Sequence, residues 1–204
     1  MTALHLLTLT LPVLLPGLFL IVSLKRGWFG RFRRPVDGGA ALHGTPLVGQ
    51  NKTWFGVALY VAGGALVAGA LSLLGKFADP VFAGPKALLV GASIGAAYSV
   101  GEIINSLVKR RAGIAPGQMT TTRWRHLQRA ADLADGIVCA SLVYLAWGVS
   151  LTMAAAVLVA GLVIHVGTDM LMRRLSLKRD KKRSSHHGDR HVVEPAQTDA
   201  LDRG

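Results

Sequence analysis

Long apolar runs, nearly free of charge, alternate along this chain with short basic segments. Residues 4–24 contain no charged side chain and stop at Lys25-Arg26. Residues 55–74 form a second run, and residues 87–108 a third that only Glu102 interrupts. A helix needs about 20 residues to cross roughly 30 Å of hydrocarbon, so each run predicts one transmembrane helix. Residues 133–171 are apolar for too long to be one helix, and Trp147-Gly148-Val149-Ser150 predicts a break within them. A short fourth span and a fifth follow. The expected fold is all-α, a polytopic membrane protein of about five transmembrane helices. Pro12 and Pro16 loosen the first helix, as membrane helices tolerate. That helix is expected to be retained rather than cleaved, because residues 1–5 lack Lys and Arg and the basic cluster follows the apolar run. Gly64 and Ala68 in the second run, and Gly91 and Gly95 in the third, recur at four-residue spacing and predict close helix packing.

Composition agrees. Hydrophobic residues make up 51% and charged residues 17%, against about 25% charged in a soluble domain, and mean hydropathy is +0.41. Lys and Arg number 23 against 11 Asp and Glu, a net charge of +12. A nucleic-acid binder carries such a charge but is not this apolar, so no nucleic-acid partner is expected. The single cysteine, Cys139, excludes an internal disulfide framework and any Cys-rich metal site. Residues 1–175 are read as the transmembrane domain and residues 176–204 as a basic, disordered tail. In the tail, His186, His187 and His191 fit a solvated segment near anionic headgroups better than a metal site.

The basic residues also orient the chain. Lys25, Arg26, Arg31, Arg33, Arg34 and Lys52 lie in the first connection, and Lys109, Arg110, Arg111, Arg123, Arg125 and Arg129 in the third. The second carries only Lys76 and Lys86, partly offset by Asp79. By the positive-inside rule the N-terminus is outside, and the first and third connections and the C-terminus are cytoplasmic. The protein is expected to be multi-pass in the cell membrane.

Acidic residues are scarce, so their positions inform. Asp79 precedes Pro80 and reads as a turn residue. Glu102 sits toward the cytoplasmic end of the third helix, where an unsatisfied carboxylate costs about 2.5–3.5 kcal/mol. Asp132 and Asp135, three apart at the start of the fourth helix, share one face. The helix dipole alone favours acids there, but it does not account for Glu102. A hard-cation site accounts for all three, since Mg²⁺ takes carboxylate oxygens. Upstream, Gly49-Gln50-Asn51-Lys52-Thr53-Trp54-Phe55-Gly56 leads into the second helix and offers a Lys, a hydroxyl and helix N-terminal amides to a phosphate. It is not a Walker A loop, because Lys52 stands too far after Gly49. Lys109-Arg110-Arg111 alone reads as a positive-inside anchor, but the breaks at Gly113 and Pro116-Gly117 and the return of acids at Asp132 point to a folded active-site loop. The active-site segments are thus residues 25–54 and 109–132. Acids for a metal and cations for phosphates at a membrane face fit phosphoryl or nucleotidyl transfer onto a lipid phosphate.

Gly101-Glu102, Ser106, Lys109-Arg110-Arg111, Gly113-Ile114, Pro116-Gly117 and Asp132-Leu133-Ala134-Asp135, in that order, resemble the signature of the CTP:phosphatidate cytidylyltransferase superfamily. Pro35-Val36-Asp37 with Gly39, then Asn51-Lys52-Thr53-Trp54 with Gly56, resembles its CDP-archaeol synthase branch. Three positions depart from the pattern: Glu102 stands for the usual Asp, the family's Gly-Asp-Gly-Lys-Thr-Trp reads Gly49-Gln50-Asn51-Lys52-Thr53-Trp54 and so loses a carboxylate at Gln50, and Phe55 stands for the Arg often found before the last glycine. The resemblance implies transfer of CMP from CTP to a lipid phosphate in the bilayer, giving CDP-lipid and pyrophosphate, with Mg²⁺ as cofactor. It assigns Glu102, Asp132 and Asp135 to the metal. Lys52, Lys109 and Arg110 join the two aspartates as the catalytic set, and Asn51, Thr53, Ser106 and Arg111 contact substrate. It admits a homo-oligomer. Two other readings stay open at this point. One is a non-catalytic membrane protein that binds anionic lipid or a partner through its basic face. The other is a transporter subunit with Glu102 on an ion path, for which His165 is the candidate partner, although a packed, hydrogen-bonded helix histidine is the simpler expectation.

Overall fold

The computed structural model describes residues 3–116, 118, 120 and 123–174. The basic tail with its three histidines, and Gly117, lie outside the described residues. Among the described residues the chain forms five α-helices: α1 (Ala3–Lys25), α2 (Trp54–Ser72), α3 (Lys86–Arg111), α4 (Arg125–Ala146) and α5 (Leu151–Arg174). Four of them, α1, α2, α3 and α5 up to Leu171, are long and apolar enough to cross a membrane. The break between α4 and α5 falls where Gly148, at φ +86°, allows the chain to turn.

α4 differs from expectation. It begins at Arg125 rather than near residue 133, so Asp132 lies about two turns and Asp135 nearly three turns inside it and not at its start. Its first half carries Arg125, His126, Arg129 and the two aspartates. The apolar stretch that follows, residues 136–146, rises only about 16 Å at 1.5 Å per residue. That is half a bilayer, so α4 does not qualify as the fourth full span. The extra turns are anchored by Gln128, which is buried. Its amide donates to the Gln118 carbonyl at 3.2 Å and accepts from the Thr120 N–H at 2.7 Å.

Successive helices run antiparallel, and glycines let them touch. A Cβ added at Gly91 would stand 2.1 Å from the Gly64 carbonyl oxygen, and one at Gly95 would stand 2.0 Å from that of Tyr60. The small-residue spacing in α2 and α3 is therefore a backbone-to-backbone seam, as read from sequence. The same device joins α3 to α4, where Gly101 meets the Asp135 carbonyl and Gly136 meets the Tyr98 ring. α1 runs unbroken through Pro12 and Pro16, and Pro16 fills the space beside Gly63. The core of Leu9, Phe82, Val90, Ile94 and Tyr144 is fully buried, and the Tyr144 hydroxyl donates to the Leu9 carbonyl at 2.5 Å. Asp79 caps a single 3₁₀ turn, accepting from the Val81 N–H at 3.0 Å, as its place before Pro80 implied. His165 departs from expectation: its Nδ1 is buried with no hydrogen-bond partner among the described residues. The nearby Thr168 hydroxyl is spent on the His165 carbonyl instead.

Helix alternation brings the end of α1, the start of α2, the end of α3 and the polar half of α4 to one end of the bundle. The α1–α2 connection there is folded. A two-stranded hairpin, β1 (Ala41–Leu42) and β2 (Thr45–Pro46), closes through His43 and Gly44, both at positive φ, the conformation of a two-residue type I′ turn. A bridge between Pro35 and Thr53 ties the connection's two ends together.

Candidate active site

Glu102, Asn105 and Lys109 recur three and four apart on α3, so they project from one face near its end. Asp132 and Asp135 face them from α4. The Asn105 amide nitrogen donates to Asp132 Oδ1 and to Asp135 Oδ2, both at 2.7 Å. Lys109 Nζ reaches the same Asp132 oxygen at 2.5 Å, and Asp135 Oδ1 accepts the Gly136 N–H at 2.6 Å. One turn deeper, Glu102 pairs with Lys52 of the α1–α2 connection, Nζ to Oε2 at 2.7 Å. The intramembrane carboxylate is thus satisfied by a cation fifty residues away. Two lysines, three carboxylates and one amide from three segments line this side of the bundle, as one aspartate pair held by Asn105 and Lys109 and one separate Lys52–Glu102 pair.

The other residues singled out in the sequence stand around this cluster. Thr53 is the N-cap of α2, and its hydroxyl accepts from the Gly56 N–H at 3.2 Å, while Asn51 beside it is exposed. Ser106 is buried on α3. Arg110 is 6% exposed. Its Nε donates to the Val48 carbonyl at 3.2 Å and its Nη1 to the Ile114 carbonyl. Arg111 Nη2 reaches the Pro46 carbonyl at 3.2 Å. Sequence reasoning gave no role to two contributors, Asn105, which it passed over, and Asp37, which it met only as part of a motif. Asn105 bridges the aspartates, and its spacing from Glu102 and Lys109 was the available signal. Asp37 orders the connection: it accepts N–H bonds from Gly39 at 3.0 Å, Val48 at 2.8 Å and Gly49 at 2.9 Å. The Asp-Gly-Gly run announces the first of these as an Asx turn. These donors, Gly49 foremost, hold the Asp37 carboxyl below its ordinary value.

The donor chemistry fits a hard cation. Among the described residues no three His, Cys, Asp or Glu side chains come together as a metal-binding group. Mg²⁺ does not require such a cage, because it keeps several waters and is bound by one or two carboxylates together with substrate phosphates. Asp132 and Asp135, bridged by a single nitrogen, are a carboxylate pair of that kind.

The model of a CarS-like CDP-archaeol synthase family matches residues 4–181. A CDP-archaeol synthase of Halobacterium salinarum is 40% identical over 87 residues, 39% of this chain and 46% of the relative. One from Hyperthermus butylicus is 35% identical over 86 residues, 41% of this chain and 46% of the relative. The chain thus spans about half the length of these two curated relatives. One from Halorubrum lacusprofundi is 28% identical over 156 residues, 72% of this chain and 83% of the relative. In three dimensions the chain shares its fold with a solved structure described as an intramembrane enzyme for archaeal membrane lipid biosynthesis. The TM-score is 0.56 at 24% identity, over 78% of this chain and 92% of that one. With the motifs of α3 and α4 drawn together at one end of the bundle and the family model matched from α1 to beyond α5, this multi-pass membrane protein belongs to the CDP-archaeol synthase family.

Proposed function

We propose that the chain is an integral-membrane nucleotidyltransferase that transfers CMP from CTP to a lipid phosphate, releasing pyrophosphate. The observation that carries this reading is the network of Asp132, Asp135, Asn105 and Lys109 beside the Lys52–Glu102 pair at the polar end of an otherwise apolar bundle. A lipid-phosphate oxygen bonds to the α-phosphorus of CTP as the bond to the pyrophosphate oxygen breaks. The attacking group is already anionic and needs little help from a base, so the residues act by positioning and charge neutralisation.

Asp132 and Asp135 would hold Mg²⁺, with Glu102 beside them, and the ion supplies positive charge to the triphosphate when bound. Lys52 and Lys109 take phosphate oxygens once nucleotide competes for them. Asn51, Thr53 and Ser106 flank that approach, and Arg111 faces the lipid headgroup. Arg110 belongs to the same set, and its contribution passes through the loop it holds. The curated relatives are named for making CDP-archaeol, and this supports an isoprenoid ether lipid phosphate as acceptor.

The test is purified protein with labelled CTP, Mg²⁺ and a panel of lipid phosphates. Labelled lipid and pyrophosphate are expected in equal amounts. CTP with Mg²⁺ should also raise the melting temperature, with about 2.7 kcal/mol of stabilisation at 100 times Kd, and ATP should do so poorly. No product and no nucleotide-dependent shift would leave the lipid-binding scaffold.

We further propose that the site faces the cytoplasm of the cell membrane, that residues 1–175 are its membrane domain and that residues 176–204 form a basic cytoplasmic tail. The asymmetry of Lys and Arg between connections supports this orientation. In a cysteine-free background, a thiol placed at Arg123 should react only with reagents admitted to the cytoplasm, and one placed at the exposed Lys76 with impermeant reagent outside. The opposite pattern at Arg123 rejects a cytoplasmic site.

A further inference from the structure

The Val48 peptide is held from both sides. Its N–H donates to Asp37 and its carbonyl accepts from Arg110. Asp37 takes the next N–H too, at Gly49, and Arg110 extends to the Ile114 carbonyl beyond α3. Gly49 adopts φ +104°, a conformation that favours glycine, and a Cβ there would stand 3.2 Å from Pro116 Cγ. Two loops, residues 46–49 and 112–116, are therefore closed on each other around one buried guanidinium. An arginine serving only as a membrane-surface anchor keeps its head in water; this one spends its planar fork on backbone carbonyls of two segments.

Lys52 follows Val48 by four residues and reaches Glu102, eight residues before Arg110 on α3. At 1.5 Å per residue these two attachments are about 12 Å apart along the helix. The connection is strapped to α3 twice: through the cation it lends at Lys52, and through the cation it receives at Arg110.

We infer that Asp37 and Arg110 are a pair of positioning residues that act through the Val48 peptide to lock the turn that presents Lys52 to the nucleotide. Neither group needs to touch substrate for this. The kinetic side of the inference rests on the proposed nucleotidyl transfer; the structural side does not.

Charge separates this from direct phosphate binding. Asp37→Ala removes a negative charge, which by electrostatics alone favours an anionic nucleotide. The clamp predicts the opposite, because alanine leaves the N–H groups of Gly39, Val48 and Gly49 without their acceptor. Full-length protein in detergent should show kcat/KM for CTP lowered by about 10- to 100-fold in Asp37→Ala and again in Arg110→Lys, as for other misplacements of a reacting group. The double variant should be scarcely worse than either, since both act on one peptide. In each variant, amide hydrogen exchange should quicken at residues 47–52 and stay slow in α2 and α3. Wild-type kinetics in Asp37→Ala, additive losses, or unchanged exchange at 47–52 would each overturn the clamp. If Arg110→Lys does not fold, Asp37→Ala decides alone. Should the wild-type protein show no turnover of CTP, the proposed function fails, and exchange at 47–52 still decides the clamp.

Discussion

Asp132→Asn is expected to leave a folded, membrane-inserted protein whose activity is lower by roughly 10²-fold or more, the several kcal/mol that a metal's charge contributes to phosphoryl chemistry. The geometry makes this substitution unusually clean. Both hydrogen bonds to Asp132, from Asn105 and from Lys109, arrive at Oδ1. An asparagine can keep its oxygen there and turn its nitrogen away, so the shape and the acceptor survive while the charge is lost. Asp135 is different, because Oδ2 accepts from Asn105 and Oδ1 from the Gly136 N–H. Asparagine at 135 must point its own N–H at one of two donors. Asp135→Asn should therefore lose activity and also about 1–3 kcal/mol of stability, the cost of an unmade buried hydrogen bond. Melting curves without ligand, beside turnover of CTP, separate the two effects. The helix-dipole explanation predicts only about 0.3–1 kcal/mol and intact chemistry, and it acts within the first turn. With the aspartates two to three turns inside α4, that explanation has lost its footing. A fully active Asp132→Asn protein would remove the metal assignment.

The spanning helices were legible because lipid offers no partner for backbone polar groups, so a crossing segment must be a continuous apolar helix. α4 was misjudged for the same reason. Its first turns carry Arg125, Arg129 and Asp132, and hydropathy reads charged turns as loop even when they are helical. The α2–α3 seam was legible from glycine spacing, since nothing larger than hydrogen fits between those backbones. The site was legible as a set of residues and not as a set of pairings. Nothing local in the sequence couples Lys52 to Glu102 or Arg110 to Val48, because these contacts form only when the α1–α2 connection folds back along α3. Asn105 was passed over because a neutral amide in an apolar helix carries no charge signal, yet it is the group that bridges the two aspartates.

Exchanging the charges of Lys52 and Glu102 should restore structure without restoring chemistry. Their side chains are 26% and 24% exposed, and partly solvated pairs contribute only about 0–1 kcal/mol. If the pair were structural alone, Lys52→Met would cost no more than that and would leave activity intact. If Lys52 neutralises phosphate charge in the transition state, the same substitution should lower kcat/KM by about 10²–10³-fold, the range for losing one stabilising donor. The swap Lys52→Glu with Glu102→Lys re-forms an ion pair, so thermal stability should return to near the wild-type value while activity stays low. Glu102→Gln then assigns the carboxylate. Its amide oxygen can still accept from Lys52, so a glutamate that only orients the lysine would lose little. A glutamate that shares the cation with Asp132 and Asp135 would fall with Asp132→Asn, and its apparent requirement for Mg²⁺ would rise. Turnover measured across a Mg²⁺ titration distinguishes the two outcomes, and a charge-swapped protein with wild-type turnover would show that Lys52 has no part in the chemistry.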